Sequence, residues 1–199
     1  MAVQKVRTRL SPTLRKNQLL DTAKLLIMKE GLQRFTMEAL SRTAGVTSPL
    51  VYKYFSSRET LLQVLLGREY SAFSGNLSTK LSGAKNFTEV LHIFIVSNFD
   101  HHAPGNILPA LLNEPDIAIA IEKDVKKGRR QTASYLVKNA AGSYKLTKTQ
   151  AGLLVSMTSG LSIAAAAYYN KSKIDREQCI ETAMTYALAG LEKTSQLQQ

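Results

Sequence analysis

Residues 36–55, TMEALSRTAGVTSPLVYKYF, constrain this chain more than any other stretch, because they read as two short helices meeting at a tight corner. Thr36 is placed to cap the first helix, its hydroxyl accepting a free backbone N–H, and Ala39 and Leu40 follow as inward-facing residues. Ala44-Gly45-Val46 makes the corner. Gly45 supplies the left-handed backbone that ends a helix at little cost, and Val46 plugs the angle between the helices. Thr47 or Ser48 caps the second helix, with Pro49 in its first turn, where a missing N–H costs nothing. Leu50, Val51, Tyr54 and Phe55 are available to hold that helix on its neighbours, while Thr47, Ser48, Leu50 and Lys53 lean outward. Two helices joined by a short Gly-containing turn make a helix-turn-helix, whose second helix enters the DNA major groove. An ordinary helical hairpin in an all-α core would carry the same turn.

Charge separates the two readings. Residues 1–60 hold 11 Lys and Arg against 4 Asp and Glu, a balance of +7; the remaining 139 residues hold 15 against 11, only +4. The excess therefore sits around the corner, as phosphate contact and counterion release require. On this footing Thr47, Ser48, Pro49 and Leu50 approach base edges: hydroxyls hydrogen-bond, and Leu50 and the Pro49 ring can touch thymine methyls. Thr36, Tyr52, Lys53, Tyr54 and Arg58 hold the DNA backbone and set the register, with Arg58 near a helix amino terminus that also attracts phosphate. Tyr52 serves equally well as packing.

The order Thr36, Leu40, Ala44-Gly45-Val46, Thr47, Tyr52, Phe55, Arg58 and Leu61-Leu62 resembles the amino-terminal domain of TetR-type transcriptional regulators. The likeness runs from near Arg15 to Leu66 and departs from the family pattern at Ser41, Pro49 and Tyr54. What it implies is an all-α homodimer with a three-helix head over residues 1–60, including a basic arm over 1–10, and a larger helical body over 61–199 that dimerises and binds a ligand. The implied function is a sequence-specific repressor, released from a palindromic operator by a small-molecule effector. Implied pocket residues are Phe94, Asn98, Phe99, His102, Tyr135, Met157 and Tyr168, although aromatic and Met residues at helical spacing more often form plain core. The rival from another class is an architectural or division-type DNA-binding protein with the same head and no inducer. A further rival is a helical membrane-surface binder drawn to anionic lipid by basic charge.

The rest of the chain reads as helices. Ser11-Pro12 opens one in which Leu19, Ala23, Leu26 and Ile27 share a face, ending near Gly31, with Phe35 anchoring the loop that follows. Ser56-Ser57 opens another with Leu61, Leu62, Leu65 and Leu66 on one face, continuing toward Leu81 by analogy with the family. Residues 87–100 form a helix with Val90, Leu91, Phe94, Ile95 and Phe99 available for a core. A short helix follows over 106–113, and a longer one over 116–139 carries the basic cluster at residues 126–130, read as a solvated face. Residues 147–169 are lined with Gly, Ser and Ala; this stretch is read as a buried helix too interrupted to span a membrane. Residues 176–193 place Ile180, Ala183, Met184, Ala187, Leu188 and Leu191 on one stripe. By the resemblance, these last two helices give half of a dimeric four-helix bundle.

The sequence offers little chemistry. It has no glycine-rich phosphate loop, paired cysteines or local Ser/His/Asp motif, so neither an enzyme nor a cofactor is expected. His101 and His102 are adjacent, about 100° apart on a helix, and so poorly placed to share a metal ion; no metal is expected. Cys179 is single and on an apolar face, a buried inert thiol. With no apolar run of signal length at the amino terminus, the expectation is a cytoplasmic protein without a membrane partner.

Overall fold

The computed structural model describes residues 10–103 and 105–197, so the expected basic arm lies, Leu10 apart, outside the described residues. All regular structure among them is helical. α1 (Pro12–Glu30) starts where the Ser11 hydroxyl accepts Leu14 N–H at 3.3 Å, and it stops at Gly31, whose φ of 86° most side chains would resist. A 3-10 turn at Leu32–Arg34 leads to α2 (Met37–Ala44). There Thr36 caps through Ala39 N–H at 3.1 Å, and Gly45 takes the left-handed backbone at φ 65°. α3 (Ser48–Tyr54) follows at once. Leu19, Ala23, Leu40, Val51 and Phe55 are excluded from solvent, which fixes these three helices around one small core.

α4 (Arg58–Gly83) is one continuous helix capped by Ser57, and Gly67 and Gly75 do not interrupt it. Its first turns belong to the head: Leu61, Leu62, Leu65 and Leu66 are fully buried in the same cluster. Ile107, Leu108, Leu111, Ile117 and Ile121, from far along the chain, are buried in that cluster too. The expected boundary at residue 60 thus falls inside a helix that both parts share.

α5 (Phe87–His102) is capped by Asn86, which accepts Glu89 N–H at 2.8 Å while the Glu89 carboxylate accepts Lys85 N–H at 2.8 Å. The helix expected over 106–113 is shorter, α6 (Leu108–Leu112). The helix expected over 116–139 is broken into α7 (Pro115–Ala118), a 3-10 turn at Ile119–Ile121 and α8 (Glu122–Tyr144). Ile121 leaves the helical region at φ −126°, so that Ile117 and Ile121 press on α4 before α8 sets off toward the body. Apolar periodicity alone could not reveal that break.

α9 (Lys148–Tyr169) begins with a capping box between Thr147 and Gln150, and α10 (Arg176–Gln196) begins where Asp175 accepts the N–H groups of Glu177 and Gln178. α5, α8, α9 and α10 make the body, with α9 touching the other three. The stripe expected on α10 is present: Ile180, Ala183, Ala187 and Leu191 are buried beside Cys179, whose thiol pKa is raised by burial. α9 corrects two expectations. At 22 residues, with an 18-residue stretch of mean hydropathy 1.4, it is long and apolar enough to span by length and composition alone, and it is not a buried helix within this chain. One stripe, Ala151, Val155, Thr158, Ser162 and Ala166, packs inward, and the Thr158 and Ser162 hydroxyls donate to carbonyls one turn back. The opposite stripe, Leu153, Met157, Gly160, Ala164 and Tyr168, stays exposed within the single chain.

Candidate nucleic-acid interface

α3 is held from inside and open outside. Val51 and Phe55 anchor it with 0% and 1% of their surface exposed, and the half-buried Tyr54 packs on the same cluster. Thr47, Pro49, Tyr52 and Lys53 are exposed, and Ser48 and Leu50 are partly so. A seven-residue helix gains little from its own hydrogen bonds. Its position therefore depends on the two anchors and on the Gly45 corner. Lys16 of α1 adds to the anchoring, its Nζ lying 5.8 Å from the centre of the Phe55 ring.

The hydroxyls around the corner have distinct tasks. The Thr36 hydroxyl is taken up by capping. Thr47 stands at the cap position of α3, but its side chain makes no capping bond, contrary to one of the two caps expected; the alternative cap, Ser48, lies inside the helix. Ser48 instead meets Ser41, Oγ to Oγ at 3.1 Å, while Ser41 Oγ donates to the Glu38 carbonyl at 2.9 Å. With the Ser41 proton on Glu38, the contact uses the Ser48 proton, which leaves Ser48 lone pairs to offer a base edge. Ser41 is buried, so this pair also ties α2 to α3.

Arg58 departs from its expected place. Its Nε donates to the Phe35 carbonyl at 3.0 Å and one terminal nitrogen donates to the Leu32 carbonyl at 2.8 Å, with the guanidinium 6.0 Å from the Phe35 ring. The side chain locks the loop between α1 and α2 onto the start of α4. Nothing in the sequence distinguished a cation turned toward loop carbonyls from one turned toward a phosphate. Arg42, exposed in the last turn of α2, is a cation the sequence reading did not assign.

The seven residues expected to line an effector pocket do not converge. Phe94 and Phe99 are buried core, the Phe99 ring 5.5 Å from that of Tyr169. His102 Nδ1 lies 2.8 Å from the Asn98 carbonyl, one turn back on α5. The Tyr135 hydroxyl donates to the Leu81 carbonyl at 3.2 Å. Met157 and Tyr168 are 56% and 63% exposed on the outer stripe of α9, so they line no interior cavity of this chain. A cleft of about 450 Å³ instead opens between α1, α4 and the α5–α6 connection, lined among others by Lys24, Met28, Glu69, Phe73, Asp100 and Leu108. None of the seven reaches it. Lys24 crosses it to Glu69 at 2.7 Å, and Arg68 joins Glu69 to Asp21, so charge as well as apolar packing couples α1 to α4.

Residues 19–65 match the family model described as bacterial regulatory proteins, tetR family. The chain is 31% identical over 93 residues to the HTH-type transcriptional regulator LuxR of Vibrio harveyi, a match spanning 45% of each protein. It is 24% identical over 185 residues to the HTH-type transcriptional activator FasR of Mycolicibacterium smegmatis, covering 89% of this chain and 83% of that one. In structure it resembles a TetR-like transcriptional regulator from a Rhodococcus species, with a TM-score of 0.67 at 19% identity over 92% of this chain and 98% of that one. It also resembles the regulator FadR from Bacillus subtilis, solved in complex with stearoyl-CoA, with a TM-score of 0.65 at 19% identity over 87% and 98%. At such identities the structural likeness speaks for the fold: a helix-turn-helix head on a helical body. Over residues 19–65 the sequence itself carries the likeness to the tetR family.

Proposed function

We propose that this TetR-family chain is a dimeric, sequence-specific repressor that binds a palindromic operator and is released from it by a small-molecule effector bound in the body. The observation that carries the DNA-binding part is the division of α3 into a buried anchor, Val51 and Phe55, and an exposed face bearing Thr47, Pro49, Tyr52 and Lys53. Thr47, Ser48, Pro49 and Leu50 meet base edges, whereas Tyr52 and Lys53 meet the phosphate backbone. Thr36, Tyr54 and Arg58 act mainly by holding α2, α3 and the intervening loops in place, since their polar or apolar groups already have partners inside the chain.

The outer stripe of α9 supports a two-fold dimer. Leu153 and Met157 precede, and Tyr168 follows, the small residues Gly160 and Ala164, which let a partner helix come close; Tyr186 of α10, 69% exposed, extends the surface. A face of this kind is costly to leave in water. A symmetric pair then presents α3 twice. The effector part draws on the solved relative that holds stearoyl-CoA, and a ligand acts only through unequal affinity for the two arrangements of the heads. The proposed setting is the cytoplasm, without a membrane partner.

Fluorescence titration of a panel of duplexes tests the division of labour. Lys53→Ala should weaken binding alike across sequences, while Leu50→Gln should change which sequence is preferred. If Lys53→Ala alters the preference and Leu50→Gln does not, the assignment is wrong.

A further inference from the structure

The carboxyl-terminal part of α5 leaves two polar atoms without a partner in the interior. Asn98 Nδ2 and His101 Nδ1 are both shut off from solvent and make no hydrogen bond among the described residues. They lie three residues apart, so they share one face of the helix. Leaving such a group unsatisfied is costly, and native structures seldom keep one without a use. The His101 ring packs against Phe73 of α4 at 5.0 Å and His102 at 4.9 Å. Next to Phe73, the Tyr70 ring lies 6.5 Å away, and its hydroxyl reaches α8 at Gly128, where it would meet any Cβ. Arg129 follows on α8, close enough to act electrostatically on both Tyr70 and His101, and it has no ion pair among the described residues.

Arg129 acts on both rings, and Asp124 opposes it at Tyr70. Burial first, then the electrostatic action of His102 and Arg129, lowers the His101 pKa to about 4. The ring is therefore neutral near pH 7, with one N–H and one lone pair. In the tautomer protonated at Nδ1 it sets a donor on the helix face that carries the Asn98 amide, within electrostatic reach of Arg129. That combination suits an anion with acceptor oxygens. Phe73 supplies an apolar wall beside it.

We propose that Asn98 and His101 of α5, with Arg129 of α8, form the head-group site of the effector, and that the effector is a small organic acid with an apolar body. The carboxylate accepts from Asn98 Nδ2 and His101 Nδ1 and is faced by the Arg129 guanidinium. This rests on the reading of the body as the effector-binding part. His101 is the residue that the sequence reading passed over, because it weighed the adjacent histidines only as metal ligands.

The test uses the full chain and octanoate as the probe, with 1-octanol and octylamine as controls of equal apolar length. Octanoate should saturably shift the His101 imidazole resonance and raise the melting temperature, and neither control should. Asn98→Leu and His101→Phe should lose that response while folding at least as stably as the parent, since each removes an unsatisfied buried group. Arg129 is exposed, so Arg129→Gln should keep the parent's stability and weaken octanoate binding by about tenfold, the loss of one charge-assisted contact. Octanoate binding that is absent, or is unchanged in Arg129→Gln, overturns the site, even if the two apolar variants do not fold. DNA retention read in parallel separates the two ideas. Binding of octanoate with DNA still held leaves the site standing and contradicts effector release. Release by another compound that acts equally on His101→Phe leaves release standing and contradicts the site.

Discussion

The outward faces of α3 and α9 make an instructive pair. Both belong to helices anchored on one side by a buried stripe, Val51 and Phe55 in one case, Val155 and Ala166 in the other. α3 turns hydroxyls, a lysine and a proline to the solvent; α9 turns Leu153, Met157 and Tyr168. The first surface rests comfortably in water and gains only from a charged, hydrogen-bonding partner. The second is poorly matched to water and gains from an apolar one. One chain thus carries two exposed surfaces of opposite chemistry, and the long α4 joins the parts that bear them.

The largest effect should come from removing the anchor under the polar face. Phe55→Ala leaves a cavity in the head and should cost about 3–5 kcal/mol in denaturant unfolding, with DNA binding lost alongside. If stability holds, α3 is not held in the way described. Charging the apolar face should act differently. Leu153→Lys together with Met157→Lys should give a folded monomer by sedimentation that binds half-sites weakly; a persistent dimer would place the two-fold elsewhere. Smaller effects sharpen the polar side. Lys53→Ala should reduce the slope of log affinity against log salt by about 1, and an unchanged slope would remove Lys53 from the phosphate contacts. Thr36→Ala should cost about 1 kcal/mol through its lost cap, measured by thermal melting, with the preferred DNA sequence unaltered. The smallest signal lies in the body. The His101 pKa is lowered in the folded chain from 6.5 to about 4, so the unfolded chain binds the extra proton between these values. Stability should therefore fall as pH drops from 6.5 toward 4, and His101→Phe should flatten that part of the profile.

The head was legible from its residues because each signal there is local. A cap at Thr36, a left-handed corner at Gly45 and Pro49 in a first turn specify backbone geometry within a few residues, and all three are seen. The stripes on α1 and α10 were legible for a related reason, since periodicity reports one face directly. What escaped depends on distant partners. The Arg58 guanidinium turns to carbonyls 23 and 26 residues earlier, which no local pattern announces. The break at Ile119–Ile121 is imposed by packing on α4. Met157 and Tyr168 have the composition of a pocket wall, yet the side of α9 on which they stand is decided by α5, α8 and α10.

Selection of bound duplexes from a random pool by the full chain is the most direct test of the central claim, that two copies of α3 enter successive major grooves. The recovered sequences should contain an inverted repeat whose half-site centres lie about 10–10.5 base pairs apart, or a multiple of that. Recovery of unrelated sequences, or of a single motif without its inverted copy, would contradict it.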